Sequence, residues 1–139
     1  MATNTQFSIA VHALAGLAYR GEQETISADL ARSVNTSASF VRRVLAKLSK
    51  AGLVRTATGK HGSSRLARAA KDISLREIYR AVGAPKVFAI HTHAELKPCP
   101  VSCHIKAALT QAQGKAQKAA EASLGKISLA DVLKEMRCG

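Results

Sequence analysis

Residues 34–52, VNTSASFVRRVLAKLSKAG, decide how this chain is read. Phe40, Val44 and Leu48 recur at four-residue steps with Val41 and Leu45 beside them, one apolar stripe at the helical period. The opposite side carries Ser39, Arg42, Arg43, Lys47 and Lys50, with no acid anywhere. Thr36 or Ser37 can cap the start, and Gly52 stands where a C-terminal cap glycine belongs. A solvated helix normally mixes charge signs, because opposite charges three or four residues apart support each other. A helix with an apolar back and a short-polar, cationic front suits the major groove of a duplex. Its first turn offers serine and arginine to base edges while later lysines such as Lys47 reach phosphates. An ordinary surface helix with unbalanced charge has the same composition, so the flanking chain must separate the two.

The charge distribution favours the first reading. The chain has 139 residues and carries 21 Lys+Arg against 9 Asp+Glu, a net charge of +12. Ten of those cations fall between residues 30 and 71 (Arg32, Arg42, Arg43, Lys47, Lys50, Arg55, Lys60, Arg65, Arg68 and Lys71), where there is no acid. A local cationic patch of this kind calls for a polyanionic partner. With aromatics at 4% and no Trp, a stacking platform for single strands is not expected. No apolar run approaches the roughly 18 residues of a membrane span, and the N-terminus lacks a basic region followed by an apolar block. The expected location is the cytoplasm, with no membrane partner. Phosphate loops, nucleophile elbows and zinc-protease spacings are absent, so the chain does not read as an enzyme.

The rest of the chain organises around the cationic helix. Phe7, Ala10, Val11, Leu14, Leu17 and Ala18 make an amphipathic first helix ending near Gly21. A second segment opens at Thr25-Ile26-Ser27, with Ala28, Leu30, Ala31 and Val34 as its apolar positions. Two short helices joined by a tight turn, the second cationic, read as a helix-turn-helix. Residues 53–58 have strand composition, GKHG at 59–62 is a turn, and 63–67 returns as a second strand. That hairpin is a two-stranded β wing, carrying Arg55 as a phosphate contact and Lys60 and His61 at a tip able to lie in a minor groove. SLRE at 74–77 matches a capping box and opens a short helix, and ISL at 73–75 is echoed by ISL at 127–129. After an irregular stretch ending in KPCPVSCHI, Ile105, Leu109, Ala112, Ala116 and Ala119 alternate four- and three-residue steps. An alanine-rich seam has too little bulk for a monomer core but suits two closely packed helices, which implies a homodimer. The expected architecture is mainly α. It comprises a winged helix-turn-helix domain at 1–83, an irregular connecting and sensing loop at 84–102, and a long dimerisation helix with a C-terminal helix at 103–139.

In this order the motifs resemble the Rrf2 family of bacterial winged-helix regulators, which includes IscR/NsrR-type iron–sulfur sensors and cluster-free relatives. The resemblance is carried by FSIAVHALAGLA at 7–18, the block ISADLARSVNTSASFVRRVLAKLSKAGLVR at 26–55, the wing with its following LAR, and ISLREIYRAVGAP at 73–85. KVFAIHTH at 86–93 followed by CPVSCHI at 99–105 is most similar to the cluster-free, YwnA-like branch. The resemblance implies a homodimeric repressor that binds a near-palindromic double-stranded DNA operator and releases it when an effector is sensed. It puts base reading at Ser37, Ser39, Arg42 and Arg43, with Lys60 and His61 at the wing tip. Two departures stand out. The wing reads GKHGSSR in place of the family's GxGGG followed by an aromatic, and Arg42 replaces an acid early in the recognition helix of cluster-sensing members.

Cluster-binding relatives place three cysteines before the dimer helix. Here Cys99 and Cys103 are separated by three residues, Cys138 is penultimate, and Ser8 stands where some relatives supply an acidic ligand. Neither an iron–sulfur cluster nor zinc, and hence no cofactor or metal, is expected from that set. Reactive thiols fit better: Ser102 can cap the long helix and put Cys103 in its first turn, where the helix dipole favours negative charge, among Lys97, His104 and Lys106. Cys99 and Cys103 are thus candidate sensors of oxidants or electrophiles, against the alternative of one small buried hydrophobe and one residue without a role. His12 is read as a packed or half-exposed residue without chemistry. Two other readings stay open: a nucleic-acid-binding module without sensing, and a regulator responding to an iron–sulfur cluster or a small molecule.

Overall fold

Single residues set each turn in the computed structural model of the chain, which describes residues 5–21, 25–57 and 63–136. The chain divides into two compact units, Met1–Ala84 with Leu124–Gly139, and Pro85–Ser123. In the first unit, α1 (Gln6–Arg20) buries Ala10, Ala13, Leu14, Ala15 and Leu17 and stops at Gly21, whose φ is 65°. Helix α2 (Ser27–Val34) ends at Asn35 in the left-handed region, φ 68°, a conformation that asparagine tolerates better than most residues. Helix α3 (Ala38–Lys50) follows at once. Ser37 Oγ accepts the Phe40 N–H at 3.2 Å and caps it. At its other end the Gly52 N–H meets Ser49 O and the Leu53 N–H reaches back to Leu48 O, each at 3.0 Å. That paired closure needs a positive φ at Gly52, observed at 80°.

The apolar stripe of α3 becomes the centre of the core. Val41, Val44, Leu45 and Leu48 are all buried and join Leu14, Leu17, Leu30 and Leu53 in one cluster. Burying each such side chain contributes roughly 1.5–3 kcal/mol, which makes the stripe the main reason that α3 holds its place.

Strands β1 (Thr25–Ile26), β2 (Val54–Thr56) and β3 (Ser63–Leu66) form an antiparallel sheet of order β1-β3-β2. The hairpin expected as a two-stranded wing therefore gains a third strand. Two β-branched residues, Thr25 and Ile26, pair with Ser64 and Ser63 and occupy what would otherwise be a free edge of β3.

The echoed ISL motifs turn out to be partners. Ser74 caps α4 (Leu75–Ala81) and Ser128 caps α6 (Leu129–Glu135), each in a full capping box, with Glu77 and Asp131 as the reciprocal acids. The two serines form an antiparallel bridge: the Leu75 N–H donates to Ile127 O at 2.9 Å and the Leu129 N–H to Ile73 O at 2.8 Å. Ile73 and Leu129 are fully buried beside this bridge, with Val132 and Leu133 packed on the same core. The C-terminal helix thus groups with the winged unit and not with the long helix, unlike the 103–139 grouping expected from the sequence.

Helix α5, which belongs to the second unit up to Ser123, begins at Pro100, three residues earlier than expected, and is 26 residues long, ending at Gly125. Proline at a first helical position has its φ preset and loses no bond, because that N–H would lack a helical partner anyway. The preceding segment is irregular, as expected, but it is fastened to α5 by side chains. Gln117 Oε1 accepts the Val87 N–H at 3.0 Å, Gln113 donates to Phe88 O, and Lys106 donates to His93 O.

Candidate nucleic-acid interface

The exposed side of α3 presents Ser39, Arg42, Arg43, Lys47 and Lys50 together. They differ in how far the protein already holds them. The Arg43 guanidinium lies 5.3 Å from the centre of the Phe40 ring, a cation–π contact one turn back. Lys47 Nζ donates to Gln6 Oε1 at 2.8 Å, which ties the middle of α3 to the start of α1. Arg42 makes no hydrogen bond or ion pair among the described residues and stands beside Ser49, Lys50 and Thr56 along a groove between α3 and the sheet. Ser37 is engaged as the cap, with its oxygen 3.4 Å from Ser39 Oγ.

The hairpin adds cations on the same unit. Arg55 is the direct cross-strand partner of Arg65, and both are exposed. Like charges directly opposite on a sheet are destabilising, so this pairing lowers the stability of the free protein. Sequence reading singled out Arg55 and passed over Arg65. The missing information was register, which only the pairing of Thr56 with Ser64 supplies. Lys60 and His61, expected at the wing tip, lie outside the described residues.

Among the described residues of the basic run, Arg32 meets Asp29 at 3.0 Å and Arg68 meets Glu77 at 2.9 Å. Arg42, Arg43, Lys47, Lys50, Arg55, Arg65 and Lys71 have no carboxylate within ion-pairing distance among the described residues. Burial works to raise the Glu77 carboxyl pKa, but the Ser74 N–H and the Arg68 guanidinium outweigh it and hold it below the usual carboxylate value. Glu77 therefore stays ionised as a structural anion, outside the cationic face.

A family model described as "Iron-dependent Transcriptional regulator", Rrf2, matches residues 3–135. The chain belongs to the Rrf2 family. Its HTH-type regulator relative YwnA of Bacillus subtilis (strain 168) is 36% identical over 134 residues, covering 96% of this chain and 98% of the relative. Among solved structures, IscR of T. potens superposes with a TM-score of 0.71 at 25% identity, covering 100% of this chain and 93% of that one. CymR of Staphylococcus aureus gives a TM-score of 0.69 at 20% identity over 94% and 97% of the two chains, a likeness of fold. The Rrf2 chain described here is thus a transcriptional regulator with a DNA-binding fold, and not an enzyme. Among its described residues no helix is long and apolar enough to cross a membrane.

The family description names iron. Among the described residues, no three His, Cys, Asp or Glu side chains converge on a point where an ion or cluster could sit. Cys138 lies outside the described residues. Cys99 and Cys103 are both free and half-buried. Cys99 immediately precedes α5, and its Sγ accepts the Ser102 N–H at 3.4 Å, as a capping oxygen would. The Cys103 thiol donates to Lys97 O at 3.3 Å, and its N–H donates to Cys99 O at 3.1 Å. Ser102 does not cap α5 as expected from the sequence. Because the helix starts at Pro100, Ser102 lies inside the first turn, and its hydroxyl accepts the Leu96 N–H at 2.7 Å.

Proposed function

We propose that this Rrf2-family chain is a homodimeric repressor whose two α3 helices enter successive major grooves of a near-palindromic operator, and that Cys99 and Cys103 tune it to oxidants. The observation that carries the DNA reading is the set of seven cations on α3, the hairpin and the adjacent chain that have no acid partner among the described residues. On this reading Ser37, Ser39, Arg42 and Arg43 face the base edges, Lys47 and Arg55 hold phosphate, and Lys60 and His61, outside the described residues, are assigned to the minor groove. The dimer reading is supported by the seam on α5. None of Ile105, Leu109, Ala112, Ala116 and Ala119 is buried, although the stripe runs the length of four turns. Two copies joined there present half-sites about one DNA turn, or a multiple, apart.

The thiol reading is supported by Cys99 at the mouth of α5. Peroxide transfers one oxygen to the Cys99 thiolate, giving a sulfenic acid and hydroxide. Attack by the Cys103 thiol then forms the disulfide and releases water. Cys99 precedes α5, but its carbonyl accepts the Cys103 N–H as in a helical turn, a spacing at which Cβ atoms stand about 5–6 Å apart, beyond the 3.5–4.5 Å of a disulfide. Closing the bond therefore opens the first turn of α5 and breaks the Cys103 N–H to Cys99 O link. Operator release on peroxide treatment, compared in wild type, Cys99→Ser and Cys103→Ser, tests this. Release in wild type alone supports the thiol switch. Equal behaviour in all three removes the thiols and leaves a DNA-binding module without redox sensing.

A further inference from the structure

The first unit contains a groove that the DNA reading does not use. It lies among α1, α2 and α6 and encloses about 870 Å³, within the usual range of small-molecule sites. Its floor is open because α1 turns small residues toward it. At Gly16 an added Cβ would meet Leu30 Cδ2 at 3.0 Å, so the glycine lets α2 come close while leaving space above the contact. Val11, Val132 and Met136 supply apolar walls, and Met136 is 50% exposed at the rim.

The polar groups of the groove stand at its two ends. Toward the N-terminal half of α1, His12 Nε2 lies 2.9 Å from Ser33 Oγ. Toward the C-terminal end, Arg20 reaches Asp29 at 3.6 Å. Eight residues of helix separate His12 from Arg20, about 12 Å along α1. Asp29 is already held by Arg32 at the shorter distance of 3.0 Å. One carboxylate thus faces two guanidinium groups, and Arg20 is the loosely held one. Among the described residues that end sets two guanidinium groups against one carboxylate, while the other end offers the His12–Ser33 hydrogen-bonding pair.

We propose that this groove binds a small molecule with an apolar body and a single anionic head, of medium-chain carboxylate character. Its head sits at Arg20 and its chain runs along Val11, Gly16 and Val132 toward His12 and Ser33. The site is independent of the cysteines. Its α2 wall lies one side chain from the recognition helix, since Leu30 packs in the same core as Val41 and Val44.

The test uses decanoate, decanol and decyltrimethylammonium as probes on the full chain, followed by amide chemical-shift mapping and calorimetry. Decanoate is expected to bind at one site per chain, to shift the amides of residues 11–20 together with Leu30 and Val132, and to bind about tenfold tighter than decanol, the factor for one charge-assisted contact. Decyltrimethylammonium should be the weakest. In Arg20→Gln, a surface change that spares the core, the preference for decanoate over decanol should vanish while decanol binding stays as in wild type. In Val11→Trp, which fills the groove, both should be lost. Equal binding of decanoate and decanol to wild type overturns the proposal, as do shifts concentrated on α5. Groove amides that respond to protein dilution but to none of the three probes also overturn it, and assign the groove to a second copy of the chain.

Discussion

Arg55 and Arg65 stand directly opposite each other across β2 and β3, two exposed cations at a position where an isolated protein gains from opposite charges. A polyanion between or beside them converts the repulsion into attraction. Arg65→Gln should therefore raise the stability of the free protein by roughly 0.2–1 kcal/mol, the range for a cross-strand pair. It should also weaken binding to every DNA sequence alike and flatten the salt dependence by about 0.9 in log–log slope for one lost phosphate contact. Thermal melting and binding at several salt concentrations check both halves. A variant that is less stable and binds DNA as before would remove the hairpin from the interface.

Arg42 and Arg43 differ in direction by about 100° around α3 and cannot both face bases. The ring of Phe40 already steadies Arg43, whereas Arg42 is unengaged among the described residues. Arg42→Ala should cost roughly 1–3 kcal/mol on the cognate operator and relax preference at one base pair. Arg43→Ala should weaken all sequences by a similar factor. Selection of binding sites from a random pool distinguishes the two, and an unchanged consensus with Arg42→Ala would reassign the reader.

Ala112 lies in the middle of the exposed α5 seam. Ala112→Glu puts two carboxylates face to face where two copies would meet, a change expected to cost several kcal/mol of association. Sedimentation should show monomer, with operator affinity falling in step. Persistence of the dimer would move the interface to another face.

Much of the DNA-binding unit was legible because its signals are local. The stripe from Phe40 to Leu48, the Ser37 cap and the Gly52 closure all act within one helix and its first neighbours. What the sequence could not show depends on pairing between distant residues. Thr25 reads as the start of a helical segment until Ser64 is found beside it, and Arg65 gains its meaning only from Arg55 across the hairpin. The repeated ISL motif was visible, yet two similar helix starts and two starts bonded to each other look the same in one dimension. The start of α5 was misplaced by three residues because Ser102 is a better capping residue than Cys99 on propensity alone, while Pro100 had the deciding constraint.

That ISL junction predicts how the fold meets acid. The Ser74 N–H and the Arg68 guanidinium hold the Glu77 pKa below its ordinary 4.5 despite partial burial, and the Ser128 N–H and hydroxyl hold Asp131 below 3.8. Each group binds its proton more weakly in the folded state than in the unfolded one. Their stabilisation is therefore complete above the unfolded values and is lost as pH falls through the lowered folded ones. Melting temperature should be insensitive to these two carboxylates near neutrality and should begin to fall below about pH 4.5 as unfolded-state protonation sets in. Glu77→Gln keeps the shape of the box but removes the charge that Ser74 and Arg68 engage. The gap in melting temperature between wild type and Glu77→Gln should accordingly be largest at pH 6–7 and shrink as the acid limb is crossed, with Asp131→Asn following the same trend at lower pH. Melting curves from pH 2.5 to 7 on the three proteins make the comparison. A gap that stays constant across that range would mean that the boxes act through geometry alone, and that acid sensitivity arises elsewhere in the chain.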